Sequence, residues 1–260
     1  MPAISLSALL HVSRAGLLTQ QAGLDVTANN IANVSTTGFK RSRAEFQELL
    51  NDRLEEPPEG NNRAAGEAAG ARLVDTQHIF SQGVIEATDF QWDLAIEGEG
   101  FFQVLRNDGT LAYTRDGTFR LDGEGRVVNA DGHLLQPEVI IPPDAEETMI
   151  TGEGKVMVRR TGELEPQVIA TINLARFTNP AGLETAGQNL FLPTDASGAA
   201  QLAQAGSQGY GTVISYALEQ SNIDLSNEVV DMISAQRAYS MMARALRTTD
   251  EMMGLATQIR

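Results

Sequence analysis

The three histidines are the first residues to test for chemistry. His11, His78 and His133 fall in different stretches, with no HExxH pair, no Ser-His-Asp arrangement and no phosphate-binding loop. The chain has no cysteine, which removes disulfides and thiolate metal sites together. Asp122, Glu124 and Asp131 stand at glycine turns, where carboxylates can hold calcium. The Asp-x-Asp-x-Asp-Gly ladder that such a site uses is missing. Gly98-Glu99-Gly100 is a fragment of a dinucleotide fingerprint, but it lies between apparent strands with no following helix. Two of the 34 acids could face each other as a glycosidase pair, yet a solvated acidic surface is the simpler use of them. Trp92, the sole tryptophan, suits a core or subunit-contact anchor better than a ligand platform. No catalytic, cofactor-binding or metal residue is predicted, and no cofactor is expected.

Asn29, Asn30 and Asn33 offer a different chemistry. They place amides near the end of a long helical stretch. An amide both donates and accepts, so it can satisfy helix-terminal carbonyls or bridge to a neighbouring subunit. Both uses remain open for each residue.

The elements that would position these amides are two helices at opposite ends of the chain. Leu10, Leu17, Leu24 and Ile31 repeat every seventh residue. Leu225, Met232, Tyr239, Leu246 and Met253 do the same at the C-terminus, with Ala235, Met242, Thr249 and Ala256 three residues on. That is the stripe of a coiled-coil seam. Two such stripes invite pairing with each other and with further copies. Gly16 and Gly23 share the seven-residue spacing and predict a helix backbone approaching closely. Asp224 is a fitting N-cap for the terminal helix, although Asn227 replaces the Glu of a full capping box.

Charge separates the ends from the middle. Residues 1–35 hold one Arg and one Asp, and residues 225–260 hold four acids and four arginines, so the net charge of −15 lies in residues 36–224. Neutral helices crowd together without repulsion. An acidic body keeps subunits soluble and argues against a nucleic-acid surface. No apolar run is long enough to insert in a membrane, and no cleavable secretory signal is visible.

Between the helices, residues 51–72 change character. Pro57-Pro58 and a run of Gly, Asn and Ala predict an extended connection that gains its order, and bridges subunits, on assembly. Residues 73–224 read as all-β, punctuated by Asp-Gly turns at 108–109, 116–117, 122–123 and 131–132. Asp116-Gly117, flanked by Tyr113-Thr114-Arg115 and Thr118-Phe119-Arg120-Leu121, predicts a two-residue hairpin. Later strands are expected at 168–175, 189–192 and 211–218. The fold class is α+β: long terminal helices forming a coiled-coil core domain (1–35 and 225–260), a connecting segment (36–72) and a mainly antiparallel β body (73–224).

Four stretches carry a resemblance. They are ANNIANVSTTGFK (28–40), DLAIEGEGFFQV (93–104), YTRDGTFRLDGEGRVV (113–128) and SNIDLSNEVVDMISAQRAYSMMARAL (221–246). In this order they resemble the bacterial flagellar rod and hook family. The length, residues 182–200 and the stretch at 51–72 are most similar to its distal-rod branch, with proximal-rod members the nearest relatives. A hook protein would carry a larger inserted domain. The resemblance implies a non-enzymatic subunit of a helical tube that transmits torque from motor to hook. In this family the terminal helices form the inner tube and the β body the outer layer. It implies the basal-body rod as the location, outside the cytoplasmic membrane and periplasmic where an outer membrane exists. Implied partners are further copies, proximal-rod, hook and hook-rod junction proteins, surrounding rings and the flagellar type III export apparatus. The expected assembly residues are the stripe members Leu10, Leu17, Leu24, Ile31, Leu225, Met232, Tyr239, Met242, Leu246 and Met253. With them go Asn29, Asn30 and Asn33, Gly38 at a sharp turn, and Phe39 anchoring the chain as it leaves the helix. A β-domain binding module of adhesin type, oligomerised by its helices, is the alternative from another class. Stripes at both ends and an aromatic content of 5% disfavour it.

Overall fold

The computed structural model describes residues 6–50, 68–163 and 165–258, with side chains at 13–47, 72–163, 165–249, 251, 252 and 254. The fold is α+β. The chain divides into two compact units, one of Met1–Ala32, Ser42–His78 and Asp224–Arg260, the other of Asn33–Arg41 and Ile79–Ile223.

The first unit holds helix α1 (Leu6–Ala32), an antiparallel pair of strands, β1 (Ser42–Leu50) and β2 (Ala68–His78), and helix α2 (Leu225–Gln258). At 1.5 Å per residue the helices extend about 40 and 51 Å. Helix α1 packs against α2 and against both strands. The strand pairing differs from the expected boundaries. Residues 68–72, read as connection, belong to β2, and residues 73–78, read as body, continue that strand opposite 42–46. Ala68, Gly70 and Ala71 are too small to show apolar alternation, and backbone pairing with β1 makes the strand instead. Residues 51–67 lie outside the described residues.

The second unit is built from antiparallel strands: β3 (Ile85–Ala87), β4 (Leu94–Glu97), β5 (Phe101–Leu105), β6 (Leu111–Thr114), β7 (Phe119–Leu121), β8 (Val127–Asn129), β9 (Leu134–Gln136), β10 (Ala145–Ile150), β11 (Lys155–Arg160), β12 (Gln167–Thr171), β13 (Asn173–Arg176), β14 (Glu184–Gly187), β15 (Leu190–Leu192), β16 (Gln201–Gln204), β17 (Thr212–Ser215) and β18 (Ala217–Glu219). The main sheet runs β14-β15-β6-β5-β9-β8-β7, and β13 joins β5 to β16. Leu94, Ile96, Phe102, Val104, Leu135, Ile172 and Leu174 are sealed in its core, with half-buried Trp92 against them. A second cluster stacks Phe80, Phe101, Tyr113, Phe177 and Phe191 edge to face.

Three Asp-Gly turns close hairpins, between β5 and β6, β7 and β8, and β8 and β9. The expected hairpin at Asp116-Gly117 does not form, because β6 pairs with β5 and β15 while β7 pairs with β8. Gly117 has no positive φ, which a type I′ turn requires. It lies flat against β4 instead: its carbonyl accepts the Leu94 N–H at 3.0 Å, and a Cβ would overlap the Leu94 carbonyl oxygen at 1.6 Å. The stretches at 168–175 and 211–218 each break into two strands, the second at Tyr216, which sits at φ +57°.

Candidate functional site

Helix α1 ends in a turn that Asn33 closes. Its carbonyl accepts from Thr36 N–H at 3.1 Å and its side-chain oxygen from Thr36 Oγ1 at 3.2 Å. Asn29 is exposed. Asn30 is the bridging amide and is 1% exposed. Its Oδ1 accepts from Ser42 N–H at 2.9 Å, and its Nδ2 donates to the Ser42 carbonyl at 2.8 Å and to Glu228 Oε2 at 3.2 Å. One side chain thereby imitates a strand partner for the start of β1 and holds the first turn of α2. The amide bridges elements of its own chain.

Glu228 takes a place in the terminal stripe where an apolar residue would be expected, three residues after Leu225, and it is 1% exposed. Asp224 caps the helix there, accepting from Ser226 N–H at 2.9 Å and from the Asn227 amide at 2.8 Å. The missing Glu of the capping box is thus replaced by an Asn that bonds the cap side chain.

Gly16, Gly23 and Asn30 form one row along α1. A Cβ on Gly16 would stand 3.3 Å from Met242 Sδ. From Asn30 back to Gly16 and from Glu228 on to Met242 the chain advances by the same fourteen residues. The helices therefore run antiparallel and stay in register over two heptads. Within the chain, side chains stand nearest these glycines. Gly16 makes room for the Met242 side chain, and a Cβ on Gly23 would stand 3.7 Å from Phe46 Cζ of β1. Leu17, Leu24, Ile31, Met232, Tyr239, Met242 and Leu246 are half-buried, while Leu225 is exposed. The side chains of Leu10 and Met253 lie outside the described residues.

The segment after α1 is fixed within the second unit. Gly38 is buried at φ +66°, donates its N–H to the Glu219 carbonyl at 2.7 Å, and would place a Cβ 2.4 Å from Asp116 N. Only glycine fits there. Phe39 is half-buried, its N–H on the Thr36 carbonyl. Lys40 Nζ donates to Glu219 Oε1 at 2.6 Å and to the Ser81 carbonyl at 2.8 Å. Arg115 reaches Glu219 Oε2 at 3.2 Å and the Gly98 carbonyl at 2.7 Å, with its guanidinium 5.5 Å from the Phe101 ring centre. Gly83 N–H completes the carboxylate's partners. Two cations thus share one buried carboxylate. Burial pushes the Lys40 ammonium below its ordinary pKa, Glu219 opposes that shift, and Arg115 adds to it. Burial also lowers Arg115, again opposed by Glu219. Asn222 ties the neighbouring crossings, accepting from Arg41 N–H and donating to the Ile79 and Ser81 carbonyls.

Ser42, Lys40, Arg115, Glu219, Asn222 and Glu228 were not legible as node residues in the sequence. Their signal was present: Lys40 ends the first of the four stretches quoted above, Arg115 lies in the third, and Asn222 and Glu228 in the last. The acidic turn at Asp122 is occupied differently from a cation site. Its carboxylate accepts from Glu124 and Arg126 N–H and from Arg126 Nε at 2.8 Å, and these bonds hold its pKa below the usual carboxylate range. Among the described residues no helix is long and apolar enough to cross a membrane.

Three family models match the chain: flagella basal body rod protein over residues 10–40, flagellar hook protein FlgE/F/G D1 domain over 95–158, and flagellar basal body rod FlgEFG protein C-terminal over 214–259. The chain is similar to the flagellar basal-body rod protein FlgG of Caulobacter vibrioides, at 40% identity over 96% of this chain and 98% of that one. The corresponding protein of Borreliella burgdorferi is 39% identical over the same shares. Similarity to the flagellar hook protein FlgE of Helicobacter mustelae, 40% identical, spans 46% of this chain and 28% of that one.

Proposed function

The chain belongs to the family of flagellar basal-body rod proteins, and from that premise we propose that it is the structural subunit of the distal rod. It polymerises into a helical tube that carries torque from the motor to the hook. The observation that carries this reading is the end-to-end similarity to rod proteins named FlgG, set against a match to less than a third of a hook protein.

The geometry supports the same reading. Helices α1 and α2 supply a coiled-coil layer at the tube's core, with the stripe residues joining each chain's own pair. The Asn30 node holds the helix ends and the start of β1 in one arrangement, and the Lys40–Glu219–Arg115 node holds the crossings of the body. Stiffness needs such nodes, because a torque applied through a slack connection is lost in bending. The body serves as the outer layer and performs no catalysis. Copies of the chain, other rod proteins and hook-side proteins are the partners, with the surrounding rings and the export apparatus as further contacts.

Deletion of the gene followed by complementation with an epitope-tagged chain tests the proposal. Isolated basal bodies viewed by electron microscopy should lack the hook-proximal part of the rod in the deletion strain and carry the tag there after complementation. Complete rods and hooks in the deletion strain, or a tag on the proximal segment, would overturn it.

A further inference from the structure

A groove of about 650 Å³ opens on the body between β10 and residues 91–92 and 215–216. Trp92, Leu121, Ile141, Met149 and Tyr216 give it an apolar wall, and Glu146 and Glu147 add carboxylates, with no cation in the lining. Strand β10 is the free edge of the three-stranded sheet β10-β11-β12. Thr151 N–H donates to the Lys155 carbonyl at 3.0 Å, so the ladder bonds to β11 fall on alternate residues back from there, at Met149 and Glu147. Thr148, between them, turns its N–H and carbonyl away from β11. The carbonyl accepts from the Gln91 side-chain amide, and the N–H finds no acceptor among the described residues. Tyr216 is the second unusual feature. Its φ of +57° is left-handed backbone that a bulky residue adopts only at a cost, and the residue is 47% exposed where it lines the groove.

We propose that the open edge of β10 receives an extended, basic segment of a partner protein as an added strand, with an aliphatic side chain seated against Trp92 and Tyr216. The inference goes beyond the rod-subunit reading and does not depend on it. The strand edge supplies affinity for a peptide main chain, and Gln91 already places an amide donor where an incoming N–H would bond. The groove supplies a pocket for alternate side chains of that strand. Its carboxylates select lysine or arginine. Glu147 is held by Arg159 at 2.8 Å, and Glu146 is exposed at the bulge of β10. A second body of the same chain would bring acid against acid, because the net charge of −15 lies in residues 36–224. The strain at Tyr216 then has a use. Glycine would sit there at no steric cost, so what the tyrosine adds is its ring on the groove.

Trp92 is the sole tryptophan, so its emission reports what enters the groove. The full chain is titrated with a seven-residue peptide of alternating lysine and valine. A saturable shift in emission is expected, with binding about tenfold weaker for a peptide of alternating glutamate and valine. Methylating the backbone nitrogen of every valine, or of every lysine, should abolish binding in one case and spare it in the other. An added strand turns only alternate N–H groups to its neighbour. Tyr216→Gly should raise the denaturation midpoint of the chain and weaken the peptide about tenfold. Glu146→Lys should weaken it by a similar factor with the midpoint unchanged. No emission shift with the lysine peptide, equal binding of the lysine and glutamate peptides, or tolerance of both methylated forms overturns the proposal. A shift with a tetrasaccharide of N-acetylglucosamine in place of the peptide would make the groove a glycan cleft. A silent peptide titration in which Tyr216→Gly prevents self-association would make its occupant a second copy. Either result overturns the proposal as well.

Discussion

The body and the helix pair bury their apolar residues to very different depths. Leu94, Ile96, Phe102 and Leu174 in the body are sealed from solvent, whereas Leu17, Leu24, Met232 and Leu246 on the helices are half-buried and Val230 and Met241 are exposed. The body is a finished core and the helix pair is half of one. Full burial of a Leu or Met is worth about 1.5–3 kcal/mol, so much of the helices' stabilisation is still to be gained when copies meet. On the proposed function, stability is carried by one region and assembly by the other.

The widest separation should come from a charge on the helical seam. Leu246→Asp or Leu17→Asp is expected to abolish rod formation and swimming while the body keeps its β signature by circular dichroism, because a carboxylate would be trapped in the tube core. Swimming by both variants would break the comparison from the assembly side. The reverse outcome is expected from Glu219→Ala, which leaves Lys40 and Arg115 as uncompensated buried cations. Breaking a buried pair in this way costs about 3–5 kcal/mol, read as a lower denaturation midpoint of the body. An unchanged midpoint would show that the node does not stabilise it.

A smaller loss follows from Asn30→Ala. It orphans the Ser42 backbone groups and removes one partner of Glu228, at about 1–3 kcal/mol per buried group. Hydrogen exchange at the start of β1 and the first turn of α2 should quicken while the body is unaffected. Gly16→Ala should do least. Its Cβ meets the flexible end of Met242, and a gain in helix propensity of about 1 kcal/mol offsets the crowding. A large drop in rod yield from that variant would mean that Gly16 also faces a second copy.

Seven-residue spacing made both helices legible, and Asp-Gly turns made three of the body's hairpins legible. Asp116-Gly117 failed because a dipeptide does not reveal its φ, and here the chain crosses flat against β4. The nodes were hidden for another reason. Asn30 sits 12 residues from Ser42 and 198 from Glu228, and Lys40 sits 179 from Glu219. Partners so far apart have no common pattern in a single sequence. The quoted stretches held several of these residues without revealing that they meet. Glu228 stands on an apolar row, and its amide partner Asn30 lies at the other end of the chain.

Hydrogen exchange, measured residue by residue on the free subunit and on isolated basal bodies, tests the division of labour most directly. Slow exchange is predicted in the body in both states. Fast exchange is predicted along α1 and α2 in the free subunit, slowing by orders of magnitude only in the rod. Helices as protected in the free subunit as the body, or unchanged on assembly, would contradict it.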